Sequence, residues 1–267
     1  MEFLKKVPLI LFIVFLIFAC YNYTLENKRV YEVYSVSEEV EQGSDILPNR
    51  LLSEVIEQED GLAMDWKPIK RKNSFNEELQ YYTPENVVIE EEAIRLVAKR
   101  EALEDRAYTS ALVKSREAYL YGYFEFVVTP PKGTGLFPAI WLLPLEDKSL
   151  PEIDIFEMIG SEPYEFSGVI HFEEGGKQKR DFFTYTVPPK EKYKVALKWT
   201  PEKLSWYIDD QVVFETSLGV PQEHMYILMN LAVGGKWPGP PSEETIFPST
   251  FCIEGINLEP QHSKLRE

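Results

Sequence analysis

The sequence is poor in cysteine and histidine. Its 267 residues include two cysteines, Cys20 and Cys252, and three histidines. Structural zinc sites take four ligands that are mostly cysteine or histidine, and these residues form no cluster with that spacing, so the sequence predicts no metal site. Cys252 stands in an apolar run, Phe-Cys-Ile, which predicts a small buried residue. Stability must therefore come from buried apolar surface.

Positive charge is also scarce. The chain has 28 lysines and arginines against 44 aspartates and glutamates, a formal net charge of −16. Nucleic acid binding requires a basic surface, so this balance argues against a nucleic acid partner. The same balance disfavours sulfated or uronic polymers.

No apolar run has the roughly 20 residues of a membrane span. The apolar run at positions 9–19 follows Lys5 and Lys6 and has the length of a signal-peptide core. It ends in Ile-Phe-Ala-Cys at 17–20, which resembles a bacterial lipobox. We therefore predict a lipoprotein-type signal peptide at 1–20, lipid on Cys20, and a secreted or cell-surface bacterial lipoprotein that meets the membrane only through that lipid. Cleavage at a nearby site and an uncleaved N-terminal anchor are the alternatives.

The rest of the chain divides into three parts. Residues 21–61 are acidic and lack sustained periodicity, which predicts a spacer. Residues 62–260 are rich in short apolar runs separated by Pro and Gly, and alternating helices are not indicated, so they predict one all-β domain, a jelly-roll sandwich. Residues 261–267 are expected to form a C-terminal tail. The predicted strands are 87–89, 94–98, 121–128, 139–143, 166–172, 182–187, 193–199, 204–208, 212–214, 226–233 and 251–258.

The most informative segment is Glu-Ile-Asp-Ile-Phe-Glu at 152–157. A strand alternates its side chains between two faces, so Glu152 and Asp154 share a face and Glu157 should point to the other. A β-bulge at 155–156 would return Glu157 to the face of the other two acids. The apolar residues between them argue for burial and against three solvated acids on an edge strand, because buried unpaired acids are costly.

Paired carboxyl groups on one face suit retaining glycoside hydrolysis, in which the two groups lie about 5–5.5 Å apart. We assign Glu152 as the nucleophile and Glu157 as the acid/base. Asp154 lies between them and is expected to orient and tune both. Repulsion among the three should raise the pKa of at least one.

Several further motifs occur in order along the chain. They are Glu-Leu-Gln-Tyr-Tyr-Thr at 78–83, with Asn76 shortly before it, Tyr-Thr-Ser at 108–110, Tyr-Gly-Tyr-Phe-Glu at 121–125, Pro-Lys-Gly-Thr-Gly-Leu-Phe-Pro-Ala-Ile-Trp-Leu-Leu-Pro at 131–144, Trp-Thr-Pro at 199–201 and Asn-Leu-Ala-Val-Gly-Gly-Lys-Trp-Pro-Gly at 230–239. Together with the acid hexapeptide, they resemble glycoside hydrolase family 16, in its laminarinase-like branch.

The resemblance implies a curved, concanavalin A-like jelly roll with a glycan groove on its concave face. It implies endo-acting cleavage of β-1,3 or mixed β-1,3/1,4 bonds with retention, and the net charge favours a neutral β-glucan. The resemblance gives the three acids the same roles as the strand argument. It also implies substrate contacts for Asn76, Trp141, His171 and Trp237. Core packing is the alternative for Trp141 and Trp237, and a satisfied partly buried residue is the alternative for His171.

Some positions depart from the family pattern. Val127 stands where an arginine is common, which suggests the loss of a hydrogen-bond donor to substrate, and Phe137 replaces a common tryptophan. No cofactor is expected; the alternative is a structural calcium ion, for which Glu254 offers an oxygen ligand. A monomer is expected. The alternative functions are a glycan-binding or wall-sensing module with weak catalysis and a transglycosylase on the same fold.

Overall fold

The computed structural model describes residues 65–72, 75–145, 148–261 and 265–266. The predicted signal peptide, Cys20 and the predicted spacer lie outside the described residues. Within the described residues, no helix is long and apolar enough to cross a membrane. The strands are β1 Trp66–Pro68, β2 Gln80–Tyr82, β3 Val87–Ile89, β4 Ala93–Ala98, β5 Tyr108–Ser110, β6 Leu112–Tyr119, β7 Gly122–Thr129, β8 Leu136–Pro144, β9 Glu152–Glu157, β10 Glu165–Glu174, β11 Lys177–Thr186, β12 Tyr193–Trp199, β13 Leu204–Ile208, β14 Gln211–Thr216, β15 Met225–Val233, β16 Ser249–Pro260 and β17 Leu265–Arg266.

Two antiparallel sheets form a jelly-roll sandwich, so the predicted all-β fold is confirmed. The cleft sheet has the order β1-β6-β15-β8-β9-β10-β11, and β17 also pairs with β6. The back sheet has the order β14-β13-β12-β7-β16-β4-β3. A short parallel pair, β2 and β5, adds to the sandwich, and a turn of 3-10 helix at Pro84–Asn86 precedes β3.

The hydrophobic core lies between the two sheets and contains many aromatic rings. Phe156 of β9 stacks on Phe251 of β16, with ring centroids 5.8 Å apart. Phe166 of β10 meets Tyr193 of β12 edge-on at 4.7 Å. These contacts join the cleft sheet to the back sheet directly beneath β9, so the strand that carries the acids rests on a closely packed aromatic layer. Cys252 is buried, as predicted.

Strands with clear alternation were predicted well. The bounds of β3, β12 and β13 match the sequence prediction. The turn between β13 and β14 consists of Asp209 and Asp210, both with positive φ, as a two-residue hairpin turn requires. Gln211 begins β14, one residue before the predicted start at 212.

The strand β6 was missed because its pattern is interrupted. Tyr226 and Leu228 are two residues apart on β15, whereas their register partners on β6, Ala118 and Lys114, are four residues apart. The hydroxyl of Ser115 fills the gap by accepting a hydrogen bond from the backbone N–H of Ile227 at 2.9 Å. This irregularity and the charged residues around it hide the strand period. In the predicted tail, Leu265–Arg266 adds a short strand beside β6.

We predict that Gly135→Ala destabilises the protein more than Gly175→Ala. Both glycines have positive φ, but a Cβ on Gly135 would lie 2.3 Å from the backbone nitrogen of Pro241, whereas one on Gly175 would meet nothing within 4 Å. Overpacking of this kind costs about 1–3 kcal/mol beyond the backbone strain that the two variants share. Urea unfolding of both variants measures the difference. Equal losses would contradict the predicted clash.

Candidate active site

The bulge in β9 is present where the sequence predicted it. Asp154 and Glu157 are three residues apart on β9. Their register partners are only two residues apart on both neighbouring strands, at 139 and 141 on β8 and at 167 and 169 on β10. One extra residue is therefore accommodated at 155–156. The predicted bulge is confirmed.

The bulge separates the side chains of β9 by polarity. Ile153, Ile155 and Phe156 are at most 3% exposed and belong to the core between the sheets. Glu152 and Glu157 are partly exposed and line the same cleft, and Asp154 between them is buried. The strand thus directs three apolar side chains into the core and carries its acids on the cleft side.

The cleft has a volume of about 660 Å³. Its floor comes from β9, β10 and β11, and the loop after β15 forms another side. The lining residues are Asn76, Glu78, Phe137, Glu152, Glu157, Ser167, Val169, His171, Arg180, Phe182, Thr184, Gly234, Gly235, Lys236, Trp237 and Pro238.

Strand register explains why these residues meet. Residues that pair across antiparallel strands share a face of the sheet. Three rows cross the cleft sheet at right angles to its strands, each containing one acid. The rows are Glu152, His171 and Arg180; Trp141, Asp154, Val169 and Phe182; and Glu157, Ser167 and Thr184. The acids thus occupy three successive rows on one face.

Burial and mutual repulsion disfavour ionisation of all three acids. Burial, and secondarily the charge of Asp154, raise the pKa of Glu152 from its ordinary value of 4.5 to about 8. Burial also raises the pKa of Asp154 from 3.8 to about 7. The pKa of Glu157 is raised well above 4.5, because burial adds to the charges of both other acids, while His171 and Arg180 oppose the shift. Glu157 is therefore suited to keep its proton near neutral pH.

The Asp154 carboxylate has few partners. Its Oδ2 lies 3.4 Å from Nε2 of His171 and accepts no hydrogen bond from the described residues. Donor atoms of Glu152, Asp154 and His171 all lie within 4.8 Å of one another, a spacing that could hold a metal ion. This group arises from the pairing of β9 with β10, which no local spacing in the sequence reveals.

The structure places three of the four predicted substrate-contact residues along the cleft. His171 lies beside the acids, with its Nε2 3.4 Å from Oδ2 of Asp154. Trp237 is 51% exposed, and its ring meets Phe137 edge-on at 5.4 Å. Asn76 has positive φ, and its backbone oxygen accepts a hydrogen bond from the N–H of Lys236 at 2.8 Å, which ties it to the Trp237 loop. Their roles as substrate contacts stay predictions.

Trp141 lies beside the cleft and is partly packed. It pairs in register with Asp154, so it faces the same side of the sheet one strand away. Its Nε1 donates a hydrogen bond to Oδ1 of Asn230 at 2.7 Å, and its ring packs with a small apolar cluster that includes Leu112 and Leu228. One edge is therefore fixed by the protein, while part of the side chain stays exposed.

The inference drawn from Val127 was wrong. Val127 belongs to β7 in the back sheet, where it pairs with Lys194 and Glu254, and it is not among the cleft-lining residues. A valine there removes no donor from the cleft. Glu254, the proposed calcium ligand, accepts a hydrogen bond from Lys192 Nζ at 2.6 Å.

Arg180, Phe182 and Glu78 are among the cleft residues that sequence reasoning did not single out. Arg180 and Phe182 belong to β11, and the guanidinium of Arg180 lies 4.9 Å from the centre of the Phe182 ring. Their signal was weak, because residues 177–181 are mostly charged and exposed and we began this strand at 182. Glu78 is buried and accepts a hydrogen bond from Gln80 Nε2 at 2.7 Å. Glu78 is the first residue of the sequence motif at 78–83, but the motif gave it no role in the cleft.

Comparisons with known proteins agree with this geometry. The model of "Glycosyl hydrolases family 16" matches residues 75–247. A beta-glucanase of Rhodothermus marinus is 29% identical over 68% of this chain and 74% of its own length, and a glucan endo-1,3-beta-glucosidase of Cryptopygus antarcticus is 31% identical over 68% and 80%. The laminarinase catalytic domain of Thermotoga maritima is similar in structure, with a TM-score of 0.67 and 28% identity, covering 75% of this chain and 93% of that chain.

We predict that Glu152→Gln flattens the dependence of stability on pH. A carboxyl group whose pKa rises on folding binds more protons in the folded state, so its contribution is largest below the unfolded pKa and is lost as pH rises to the folded value. For Glu152 this window runs from 4.5 to about 8. Urea unfolding between pH 4 and pH 9 should give a shallower decline for the variant than for the wild type.

Glu215→Gln serves as a control of opposite sign. Hydrogen bonds from Lys203 and Ser205 lower the pKa of Glu215, so its contribution is present above pH 4.5 and is lost as pH falls. This exposed variant should keep the wild-type decline toward pH 8. An unchanged decline in Glu152→Gln as well would contradict the burial effect on Glu152.

Proposed function

The chain belongs to family 16 of the glycosyl hydrolases, and we propose that its cleft cleaves internal bonds of a neutral β-glucan, β-1,3 or mixed β-1,3/1,4, with retention of configuration. One observation carries the assignment of the chemistry. The bulge in β9 places Glu152 and Glu157 in the same cleft, with Asp154 between them. Retaining hydrolysis needs a nucleophilic carboxylate and a carboxylic acid close to one glycosidic bond.

In the first step, the Glu152 carboxylate attacks the anomeric carbon while Glu157 donates its proton to the departing glycosidic oxygen. This step forms a covalent glycosyl-enzyme and releases one part of the polymer. In the second step, Glu157, now a carboxylate, takes a proton from water as the water oxygen attacks the anomeric carbon. Glu152 leaves as a carboxylate, so configuration is retained after two inversions.

The electrostatics of the site support the role of Glu157 as the acid. Burial, together with repulsion from both other acids, raises the pKa of Glu157 well above its ordinary value, which suits a group that must enter the reaction protonated. When Glu152 becomes an ester in the intermediate, it loses its charge. The repulsion on Glu157 then falls, which favours the carboxylate form that the second step requires.

The surroundings of the acids support a sugar polymer as substrate. Exposed aromatic rings lie on two sides of the acids, Phe182 on β11 and Trp237 in the loop after β15. Aromatic faces can pack on the apolar faces of pyranose rings, while hydroxyls bond to polar neighbours such as Ser167 and Thr184. The Rhodothermus and Cryptopygus relatives, named for glucan cleavage, support a glucan.

The N-terminal sequence supports export. The basic start, the short apolar core and the lipobox-like residues before Cys20 are typical of a bacterial lipoprotein. We therefore place the enzyme outside the cytoplasm, secreted or anchored by lipid on Cys20, where an insoluble or large glucan would be accessible.

A substrate screen tests the proposal directly. The purified protein is incubated with laminarin, lichenan, agarose and carrageenan, and reducing ends and product lengths are measured. We expect activity on laminarin or lichenan with a broad range of early oligosaccharides, because internal cleavage produces many lengths. Cleavage of agarose or carrageenan alone would contradict the proposed glucan specificity.

We predict that Glu152→Gln and Glu157→Gln each abolish glucan cleavage. Loss of a general acid typically costs about 10²–10⁴-fold, and loss of the nucleophile prevents the covalent intermediate altogether. Release of reducing ends from laminarin and lichenan measures both effects. The control is Glu165→Gln, an exposed glutamate at the start of β10, which should remain active. Wild-type activity in either active-site variant would refute the assignment.

We predict that Phe182→Ala and Trp237→Ala weaken use of long glucans. An aromatic contact is worth about 0.5–1.5 kcal/mol beyond its buried area, so kcat/KM should fall by up to about tenfold. Tyr185→Ala is the matched control, since Tyr185 is also an exposed aromatic on β11 but lies three positions from Phe182, on the opposite face. An equal loss in Tyr185→Ala would show that strand damage, rather than sugar contact, explains the effect.

A further inference from the structure

A tryptophan of the back sheet makes a hydrogen bond to the acid-bearing strand. Trp206 lies on β13 and is 1% exposed. Its Nε1 donates a hydrogen bond at 2.9 Å to the backbone carbonyl oxygen of Asp154. That carbonyl directly precedes the extra residue of the bulge. This hydrogen bond therefore connects the back sheet, through the core, to the peptide at which the regular pleat of β9 is interrupted.

The strand next to the bulge leaves space for this indole. Gly168 of β10 lies opposite the bulge, between the register pairs of Asp154 and Glu157. A Cβ on Gly168 would lie 2.7 Å from Nε1 of Trp206 and 2.5 Å from the ring of Phe183. Because such distances are too short for real contacts, a side chain at position 168 would force the indole of Trp206 or the ring of Phe183 to move.

Neighbouring rings hold the indole in place. Phe214 of β14 and Phe183 of β11 contact Trp206, with ring centroids 5.6 and 6.0 Å away. Packing in the core therefore sets the direction in which the indole N–H points. A buried carbonyl without this donor would lose a hydrogen bond where water cannot replace it.

We propose that Trp206 is a positioning residue that sets the geometry of the bulge, and through it the placement of Glu157 relative to Glu152. This inference rests on the proposed function of these two acids. The peptide between Asp154 and Ile155 determines the direction of the following three residues. With its carbonyl held by Trp206, the extra residue stays at 155–156 and Glu157 stays on the cleft face.

The proposal predicts a change in turnover without a change in substrate binding. Trp206 is buried and does not line the cleft, so its replacement should leave KM nearly unchanged. A displacement of a reacting group by about 1 Å can cost up to about 10²-fold in rate, so kcat should fall by a factor in that range.

The pH profile provides a second readout. Burial is the largest cause of the raised pKa of Glu157; the charges of Asp154 and Glu152 on β9 add to it, and His171 on β10 and Arg180 on β11 oppose it to a smaller extent. If Glu157 moves away from this group, the net repulsion on it decreases. The basic limb of the kcat profile should then move to lower pH, an effect that loss of stability alone would not produce.

The test compares Trp206→Phe with Trp199→Phe in the full chain. Trp199 is a fully buried tryptophan of the same sheet, and its Nε1 donates to the carbonyl of Pro221 at 3.1 Å, away from the bulge. Both variants lose one buried indole N–H. At a temperature where both are folded, Trp206→Phe should show the lower kcat and the shifted basic limb, and Trp199→Phe should match the wild type in both.

Gly168→Ala approaches the same contact from the other side and applies even if Trp206→Phe fails to fold. It keeps the indole but obstructs its place, so it should lower kcat and shift the basic limb in the same direction. In the double variant with Trp206→Phe, the loss of kcat should be smaller than the two single losses combined, because both substitutions act on one contact.

Two results would overturn the proposal. They are a wild-type kcat and pH profile in a folded Trp206→Phe or Gly168→Ala variant, and an equal loss of kcat in Trp199→Phe. Glu157→Gln is measured alongside. If Glu157→Gln is inactive while Trp206→Phe behaves as wild type, only the role of Trp206 is refuted; full activity in Glu157→Gln would refute the proposed function itself.

Discussion

The site depends on the difference between the two-residue period of a strand and the three-residue spacing of Asp154 and Glu157. A regular strand would turn one of these acids into the core, where an uncompensated charge is very unfavourable. The extra residue at 155–156 resolves the conflict, because it sends two successive apolar residues inward and keeps the acids on one side. Both the electrostatics of the cleft and the packing beneath it follow from this irregularity.

The bulge also explains why the acid-bearing strand needs support from the core beneath it. Bulged strands lose regular pairing at the extra residue, and the surrounding structure must supply what the ladder does not. Here the core does so with aromatic rings from both sheets, including the stack of Phe156 on Phe251 and the indole of Trp206 at the Asp154 carbonyl. The aromatic rings that fill the core therefore also support the strand that carries the acids.

The acid motif and its bulge could be predicted from the sequence because both are local. The six positions alone show that a regular strand would put Glu157 on the other face from Glu152 and Asp154. They also show that one extra residue would bring it back. The motifs in order along the chain indicated the family and the sandwich. Strands with unbroken alternation, such as β12, were predicted with correct bounds. The predicted export signal and lipid site lie outside the described residues and stay predictions.

Features that depend on pairing between distant strands could not be predicted in this way. Phe182 and Arg180 reach the cleft because β11 pairs with β10 in one register, and nothing near them in sequence specifies that register. Val127 was misjudged for the same reason, since its sheet determines which side it faces. The strand β6 was hidden by its own irregularity around Ser115. Trp206 lies in the core, and the acceptor of its N–H belongs to a strand of the other sheet, which no local pattern specifies.

The position of β11 has a consequence for how a polymer can enter. It is the last strand of the cleft sheet, and within the described residues no further strand pairs along its outer side. The row of side chains from Asp154 through Val169 to Phe182 therefore ends at the edge of the sheet. A long chain can be laid across this open edge from the side at any point along its length, and its free end need not be found first.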